Sequence, residues 1–267
     1  MGKPLKSAII DLLGPWGVFP TDATDKARIQ ELLRQLQPLA TDQPLIRLGP
    51  RGDGGYLVPD DLAGTEACFS PGVGLISGFE QDCADRGIRV YMADRSVAQP
   101  GALHALFHFT RKYLGVTSSD DFMTLDDWVA GSAVRPESDL MLQIDIEGFE
   151  YEVFLGATDR LLKRFRIIVA EFHQLDQLWN KAFFGLATRA FEKILQTHRC
   201  VHIHPNNSSP LLKKGGLALP PLAEFTFLRH DRVASSRYAD AFPHPLDADN
   251  TDRPHFALPP CWWRQPE

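Results

Sequence analysis

An apolar stretch, Ala67-Cys-Phe-Ser70, runs into Pro71-Gly72-Val-Gly74-Leu-Ile-Ser77-Gly78-Phe-Glu80, and about twenty residues later Arg-Val-Tyr-Met-Ala ends on Asp94. Glycines at the end of a strand let the backbone turn sharply and approach a ligand that a side chain would block. A helix that starts there aims its free amides at the same place. A carboxylate ending the next strand can accept both hydroxyls of a ribose. Gly72, Gly74 and Asp94 together therefore describe an adenosine-cofactor site; the plain alternative is a strand–turn–helix corner with Asp94 as a cap. A dinucleotide fingerprint reads G-x-G-x-x-G. Here the spacing is G-x-G-x-x-x-G, with Ser77 in place of the third glycine, which weakens a pyrophosphate cradle and favours a smaller ligand.

Such a turn needs a βαβ frame. Apolar runs at Ala67–Ser70, Val90–Ala93, Leu140–Ile144, Ile167–Phe172, Val201–His204 and Phe225–Leu228 read as strands. Ala105–Phe109 is the best candidate for one more strand after Asp94. Helical spacing covers Ser77–Arg86, Leu125–Ala130, Phe149–Phe165 and Phe183–His198, and Thr124 with Asp127 makes a capping box. An earlier helix, capped by Thr24, puts Ile29, Leu32, Leu33 and Leu36 on one stripe. Alternating strands and helices predict a mainly parallel sheet with helices on both faces. The last strand follows the Pro/Gly-rich loop Pro205–Leu222, which holds no good helix, so it is expected to return antiparallel. The chain divides into a helical extension (1–47), an α/β domain (48–240) and an irregular tail (241–267) packed on it.

Bulk composition fits one large domain: 267 residues, 44% hydrophobic and 23% charged. A net charge of −6 argues against a broad nucleic-acid-binding face, and Lys213-Lys214 reads as a solvated loop tip. Cys68, Cys83, Cys200 and Cys261 form no C-x-x-C pair, which suits a reducing cytoplasm. The short run Ala8–Leu13 contains Asp11 and leads to no cleavage site, and no stretch approaches the roughly 20 apolar residues of a membrane span. The expectation is a cytoplasmic protein that binds neither membrane nor nucleic acid.

Leu142-Gln-Ile-Asp145-Ile-Glu147-Gly148-Phe-Glu150 closely resembles the K-I-D-I/V-E-G-x-E signature of FkbM-type methyltransferases. Thr124-Leu-Asp-Asp-Trp-Val is similar to that family's T-L-D-x-hydrophobic segment. Arg51-Gly-Asp53-Gly54-Gly55-Tyr56 and Val169-Ala-Glu171-Phe-His173 resemble a bacterial branch of it, so the resemblance runs from about Leu48 to Leu228. It implies a Rossmann-like class I fold, S-adenosyl-L-methionine as cofactor, and O-methylation of a sugar or other small-molecule hydroxyl. It further implies that Gly72 and Gly74 approach the cofactor, that Asp94 holds its ribose, and that Asp145 lies at the active-site end of the fourth strand. In this chain Ser70-Pro71 replaces the acidic residue usual before the first glycine, so Ser70, Asp53 or Glu80 would meet the cofactor's amino-acid end. Asp53-Gly54-Gly55-Tyr56 suits a flap over the cofactor, with a plain turn as the alternative.

Ligands of open α/β sheets bind beyond the carboxyl ends of the strands, where Asp145/Glu147, Glu171/His173 and His202/His204/Asn206 fall. An alcohol acceptor must lose a proton, to a base or by coordination to a metal. His173 is the preferred base, with Asp145 and Glu171 beside it. No residue is assigned as a dedicated metal ligand, although Asp145, Glu171 and His173 could hold Mg²⁺ or a transition metal. Glu150 reads as helix-start charge. Trp179, Trp262 and Trp263 are candidates for the acceptor pocket or for ordinary packing. The rivals are a Rossmann-type oxidoreductase, for which no hydride-transfer constellation is found, and a noncatalytic module that keeps the fold.

Overall fold

The computed structural model describes residues 3–17 and 19–264; the extreme ends of the expected helical extension and tail lie outside these. Seven strands make the central sheet: β1 (Ala67–Pro71), β2 (Arg89–Ala93), β3 (Phe107–Thr110), β4 (Leu140–Ile144), β5 (Phe165–Phe172), β6 (His198–Pro205) and β7 (Ala223–Arg229). Their spatial order is β6-β7-β5-β4-β1-β2-β3. β1 pairs in parallel with β2 and β4, β2 with β3, and β4 with β5, whereas β7 runs antiparallel to both β5 and β6. The expected mainly parallel α/β sheet with an antiparallel last strand is therefore what forms.

Both faces of the sheet are covered, which is why these strands read as apolar runs and not as alternating patterns. Ala67, Phe69, Leu140, Leu142 and Ile144 point to one core, where α2 (Lys26–Gln35), α4 (Leu125–Ala130), α5 (Glu150–Gly156), α6 (Asp159–Leu162) and α7 (Lys181–Leu195) contribute. Cys68, Met141, Ile167 and Val169 point to the other, filled by Phe79, Cys83 and Ala84 of α3 (Gly78–Asp85). All four cysteines are free thiols. No helix among the described residues is long and apolar enough to cross a membrane.

Several boundaries differ from the sequence expectation, each for a local reason. Asp25, not Thr24, caps α2 by accepting from the Ala27 amide at 3.0 Å, while Thr24 is buried. The single helix expected over Phe149–Phe165 is broken at Ala157, because Thr158 accepts from the Leu161 amide and starts α6. Asn180 caps α7, which starts two residues ahead of Phe183 and stops short of His198, which enters β6. The passage Leu48–Tyr56 is the turn of an antiparallel ribbon, Leu45–Leu48 with Tyr56–Pro59. The expected loop Pro205–Leu222 contains a hairpin, Leu212–Lys214 with Leu217–Leu219. Its two-residue turn, Gly215-Gly216, has φ of 59° and 78°, the positive pair that matches strand twist. Lys213 and Lys214 stand exposed beside that turn, as expected of a solvated tip, and the Lys214 ammonium lies 4.9 Å over the ring of Trp179.

His198 is fully buried, with Nε2 2.7 Å from the Phe165 carbonyl oxygen and Nδ1 2.7 Å from Thr197 Oγ1. Burial pushes its pKa down to about 4 from an ordinary 6.5. Protonation below 6.5 thus favours the unfolded chain. The stability that neutral His198 contributes is complete above that pH and erodes as pH falls to 4, by about 3 kcal/mol in all. Urea unfolding between pH 7.5 and 4 should show a steeper loss in the wild type than in His198→Gln; parallel losses would refute this.

Candidate active site

β1 ends at Pro71 and β4 at Ile144, side by side, and the backbone beyond them is forced together. Gly72 has φ +91°, and a Cβ there would sit 1.6 Å from the Asp145 carbonyl oxygen. Its amide donates to Ala93 O at 2.9 Å, which ties the turn to β2 as well. The three strand ends open into one cavity of about 580 Å³, within the usual range for small-molecule sites. Gly72, Gly74, Asp94, Asp145 and Glu147 line it, together with Tyr113, Leu114, Phe122 and Phe149. A Cβ on Gly74 would meet nothing within 4 Å, so that residue leaves open space.

Asp94 uses one carboxylate oxygen, Oδ1, to accept from the Ser96 amide and hydroxyl, both at 2.6 Å. These bonds hold the side chain at the cavity wall and leave Oδ2 for a ligand. Tyr113 and Phe122, from a short parallel ribbon, have ring centroids 5.5 Å apart and are each 40% exposed, giving the cavity an apolar side. Nothing in their spacing marked them beforehand; the ribbon forms only once Phe122–Thr124 leads into α4.

Asp145 and Glu147, which line the cavity, follow β4, and His173 follows β5 beside them. His173 Nε2 lies 3.4 Å from Glu147 Oε2 and 3.9 Å from Asp145 Oδ1, and Nδ1 faces Glu150 Oε1 at 3.2 Å. The Tyr151 hydroxyl donates to the His173 carbonyl at 2.7 Å and fixes the backbone there. Glu147 and Gln174 both adopt φ +60°, a left-handed conformation costing a non-glycine residue about 1–3 kcal/mol, of the kind found at functional sites. Burial opposes charge on His173, but Glu150, Asp145 and Glu147 outweigh it and raise its pKa. Burial, reinforced by Glu150 and Glu147 and offset by His173, raises Asp145 to about 6.

Glu171 lies one step back on β5, buried, where Asn206 Nδ2 donates to its Oε1 at 2.8 Å. Burial, with the nearby Asp145 and Glu224, raises its pKa well above the ordinary carboxylate value. The acid that joins Asp145 and His173 is accordingly Glu147: their ligand atoms all lie within 4.8 Å of one another. Glu150 does more than offer charge to a helix start. It is fully buried, and its Oε1 accepts from the Ile146 and Gly148 amides at 3.0 and 3.1 Å.

The remaining sequence candidates stand behind or beside the cavity. Ser70 Oγ lies 2.5 Å from Glu80 Oε1 and 2.6 Å from Gln143 Oε1, in a buried group beneath the glycine turn where burial raises the Glu80 pKa. Asp53, Gly54, Gly55 and Tyr56 form the ribbon turn. The Arg47 guanidinium pins that turn by donating to Pro50 O and Gly52 O at 2.6 and 2.8 Å. Asp53 is exposed, Gly54 abuts Ile76 of the glycine loop, and buried Tyr56 packs edge-on against Phe79. His202 and His204 hold the tail: His202 Nε2 lies 2.8 Å and His204 Nδ1 3.6 Å from Asp247 Oδ1. Although burial opposes it, these two imidazoles hold the Asp247 carboxyl far below its usual range. Trp262 is fully buried and donates to Ala218 O, Trp263 donates to Leu258 O, and Trp179 carries Lys214; none lines the cavity.

The two glycines make opposite demands. Gly72→Ala should destabilise the protein by at least about 3 kcal/mol, because its Cβ meets backbone that cannot move aside. Gly74→Ala should leave unfolding nearly unchanged. Urea denaturation of both variants checks this, and equal stabilities would count against the close approach.

No curated protein matches the chain. Solved structures that match include the crystal structure of EvdMO1, at 15% identity and a TM-score of 0.29, over 77% of this chain and 47% of that one. The chain thus spans about half the length of that protein. Residues 91–200, from β2 through the acidic element after β4 to the start of β6, match the methyltransferase FkbM domain, so the resemblance carried by Asp145-Ile-Glu147-Gly148 is borne out over that segment.

Proposed function

We propose that this protein is an S-adenosyl-L-methionine-dependent O-methyltransferase acting on a hydroxyl of a sugar or other small molecule. One observation carries the reading: the glycine turn with Asp94 and the Asp145/Glu147 element, two motifs far apart in sequence, line the same cavity. The match of residues 91–200 to the FkbM domain supports methyl transfer, and the strand order with one reversed strand supports a class I fold.

The residues present fit the cofactor. Gly74 leaves open space at the turn, and Asp94 Oδ2 takes none of the Ser96 bonds and is available to ribose hydroxyls. Tyr113, Leu114 and Phe122 offer the apolar wall a heteroaromatic base needs. Bound S-adenosylmethionine supplies a methyl group on positive sulfur; transfer to a hydroxyl returns the carbon–sulfur electron pair to sulfur and releases one proton. The protein's share is alignment, which alone can remove much of the barrier, and a place for that proton. Asp145, Glu147 and His173 form that place, since Asp145 and Glu147 line the cavity and His173 lies against both carboxylates.

Calorimetric titration should show binding of S-adenosylhomocysteine and none of NADH; the reverse would sink the proposal. Asp94→Ala should weaken S-adenosylhomocysteine binding about ten- to a hundredfold, as expected for loss of hydrogen bonds to a charged group. Unchanged affinity would mean the ribose sits elsewhere. With an acceptor found by screening sugars and phenols, His173→Ala should slow methyl transfer about a hundredfold or more while S-adenosylhomocysteine affinity persists.

A further inference from the structure

We infer that Asp145, Glu147 and His173 form a binding site for one divalent transition-metal ion, with coordination positions left open toward the cavity. The role of the ion rests on the proposed methyl transfer; its binding does not.

Three kinds of observation carry this. The first is spacing. Ligands about 2.1 Å from a six-coordinate ion stand about 3 Å apart when adjacent and about 4.2 Å apart when opposite. His173 Nε2 is 3.4 Å from Glu147 Oε2 and 3.9 Å from Asp145 Oδ1, and all three ligand atoms lie within 4.8 Å. These separations are long for direct hydrogen bonds and close to those of ligands around an ion.

The second is the support behind the histidine. A ligating imidazole is held by a carboxylate on its other nitrogen, which fixes the tautomer and aims the free lone pair. Glu150 stands beside that position, with Oε1 3.2 Å from His173 Nδ1, and the buried Nδ1 makes no hydrogen bond within the described residues. It is fully buried, anchored by the Ile146 and Gly148 amides, and its Oε2 has no partner among the described residues. A carboxylate placed at that depth to face one imidazole is hard to account for as a helix-start charge, which would do its work on the surface.

The third is backbone. Glu147, which is largely exposed, could reach solvent from a relaxed conformation, yet it is held left-handed at φ +60°, as is Gln174 next to His173. Asp145 and Glu147 also line the cavity, so an ion between them would be reached by an acceptor hydroxyl. One imidazole beside two carboxylates favours Mn²⁺, Fe²⁺, Co²⁺ or Zn²⁺ over Mg²⁺ or Ca²⁺, which prefer all-oxygen sets. An acceptor oxygen bound to such an ion would give up its proton more readily.

Titration of the full chain with MnCl₂, followed by the loss of the free-ion electron paramagnetic resonance signal, should show one ion bound per chain. Enhanced water-proton relaxation should show that open positions remain. Glu147→Gln, at an exposed position that leaves folding intact, should weaken binding at least about tenfold, and Glu150→Gln, which touches no ion, should weaken it as well. Excess Zn²⁺ should displace Mn²⁺, and excess Mg²⁺ should not. Absence of binding at millimolar Mn²⁺, or wild-type affinity in Glu147→Gln and Asp145→Asn alike, would overturn the inference. S-adenosylhomocysteine titrated into the same samples separates the two readings: its binding without Mn²⁺ binding defeats only the metal site, and the converse defeats only the cofactor assignment.

Discussion

The site depends on the backbone of Gly72 lying against the carbonyl of Asp145, at a distance where no side chain fits. That contact brings the end of β1 onto the end of β4. The turn after β1 faces Asp94, and the turn after β4 presents Asp145 and Glu147. Were the two turns even one side chain further apart, Asp94 and the Asp145/Glu147 element would belong to separate clefts. The sheet around them is arranged to hold this approach rigid: β1 and β4 are central strands, paired on both sides and buried on both faces.

Around Asp145 and His173 the dominant fact is an excess of buried acid. Asp145, Glu171 and Glu224 all lie with their pKa values raised by burial, and His173 and His204 are the imidazoles that answer them. Charge of one sign is costly to bury unless it is neutralised, paired or bound to something else. The protein uses pairing at His173, and hydrogen bonds from Asn206 to Glu171 and from Asn250 to Glu224. The second device draws in the tail: Asn250 and Asp247 reach back to β6 and β7, so residues near the C-terminus close one side of this polar group.

Much of this was legible beforehand, and the reasons are physical. Six apolar runs became strands of the sheet because burial on both faces favours apolar side chains along most of each strand, the buried polar ones being hydrogen-bonded or paired. Thr124 capped its helix as its capping box implied. The helix over Phe149–Phe165 misread because Leu161 and Leu162 continue the apolar stripe across the break, whereas the break itself depends on one side chain, Thr158, choosing the Leu161 amide. The Gly215-Gly216 hairpin was present in the residues and passed over, since the flanking strands are short and exposed.

The sequence by itself determined the order of strands and helices, the turn that admits a ligand at Gly72 and the acidic element at Asp145–Glu150, because these rest on contacts between near neighbours. Only the tertiary structure decided which polar groups meet. Glu171 and Glu147 are equally plausible partners for His173 when read as text. In the folded chain Glu171 is buried and accepts from Asn206, whereas Glu147, at φ +60°, has its carboxylate 3.4 Å from the imidazole. Likewise, the aromatic wall at Tyr113 and Phe122, the burial of Ser70 with Glu80, and the clamp of His202 on Asp247 each join residues distant in the chain. Pairings of that kind are set by how the sheet packs, and no local spacing records them.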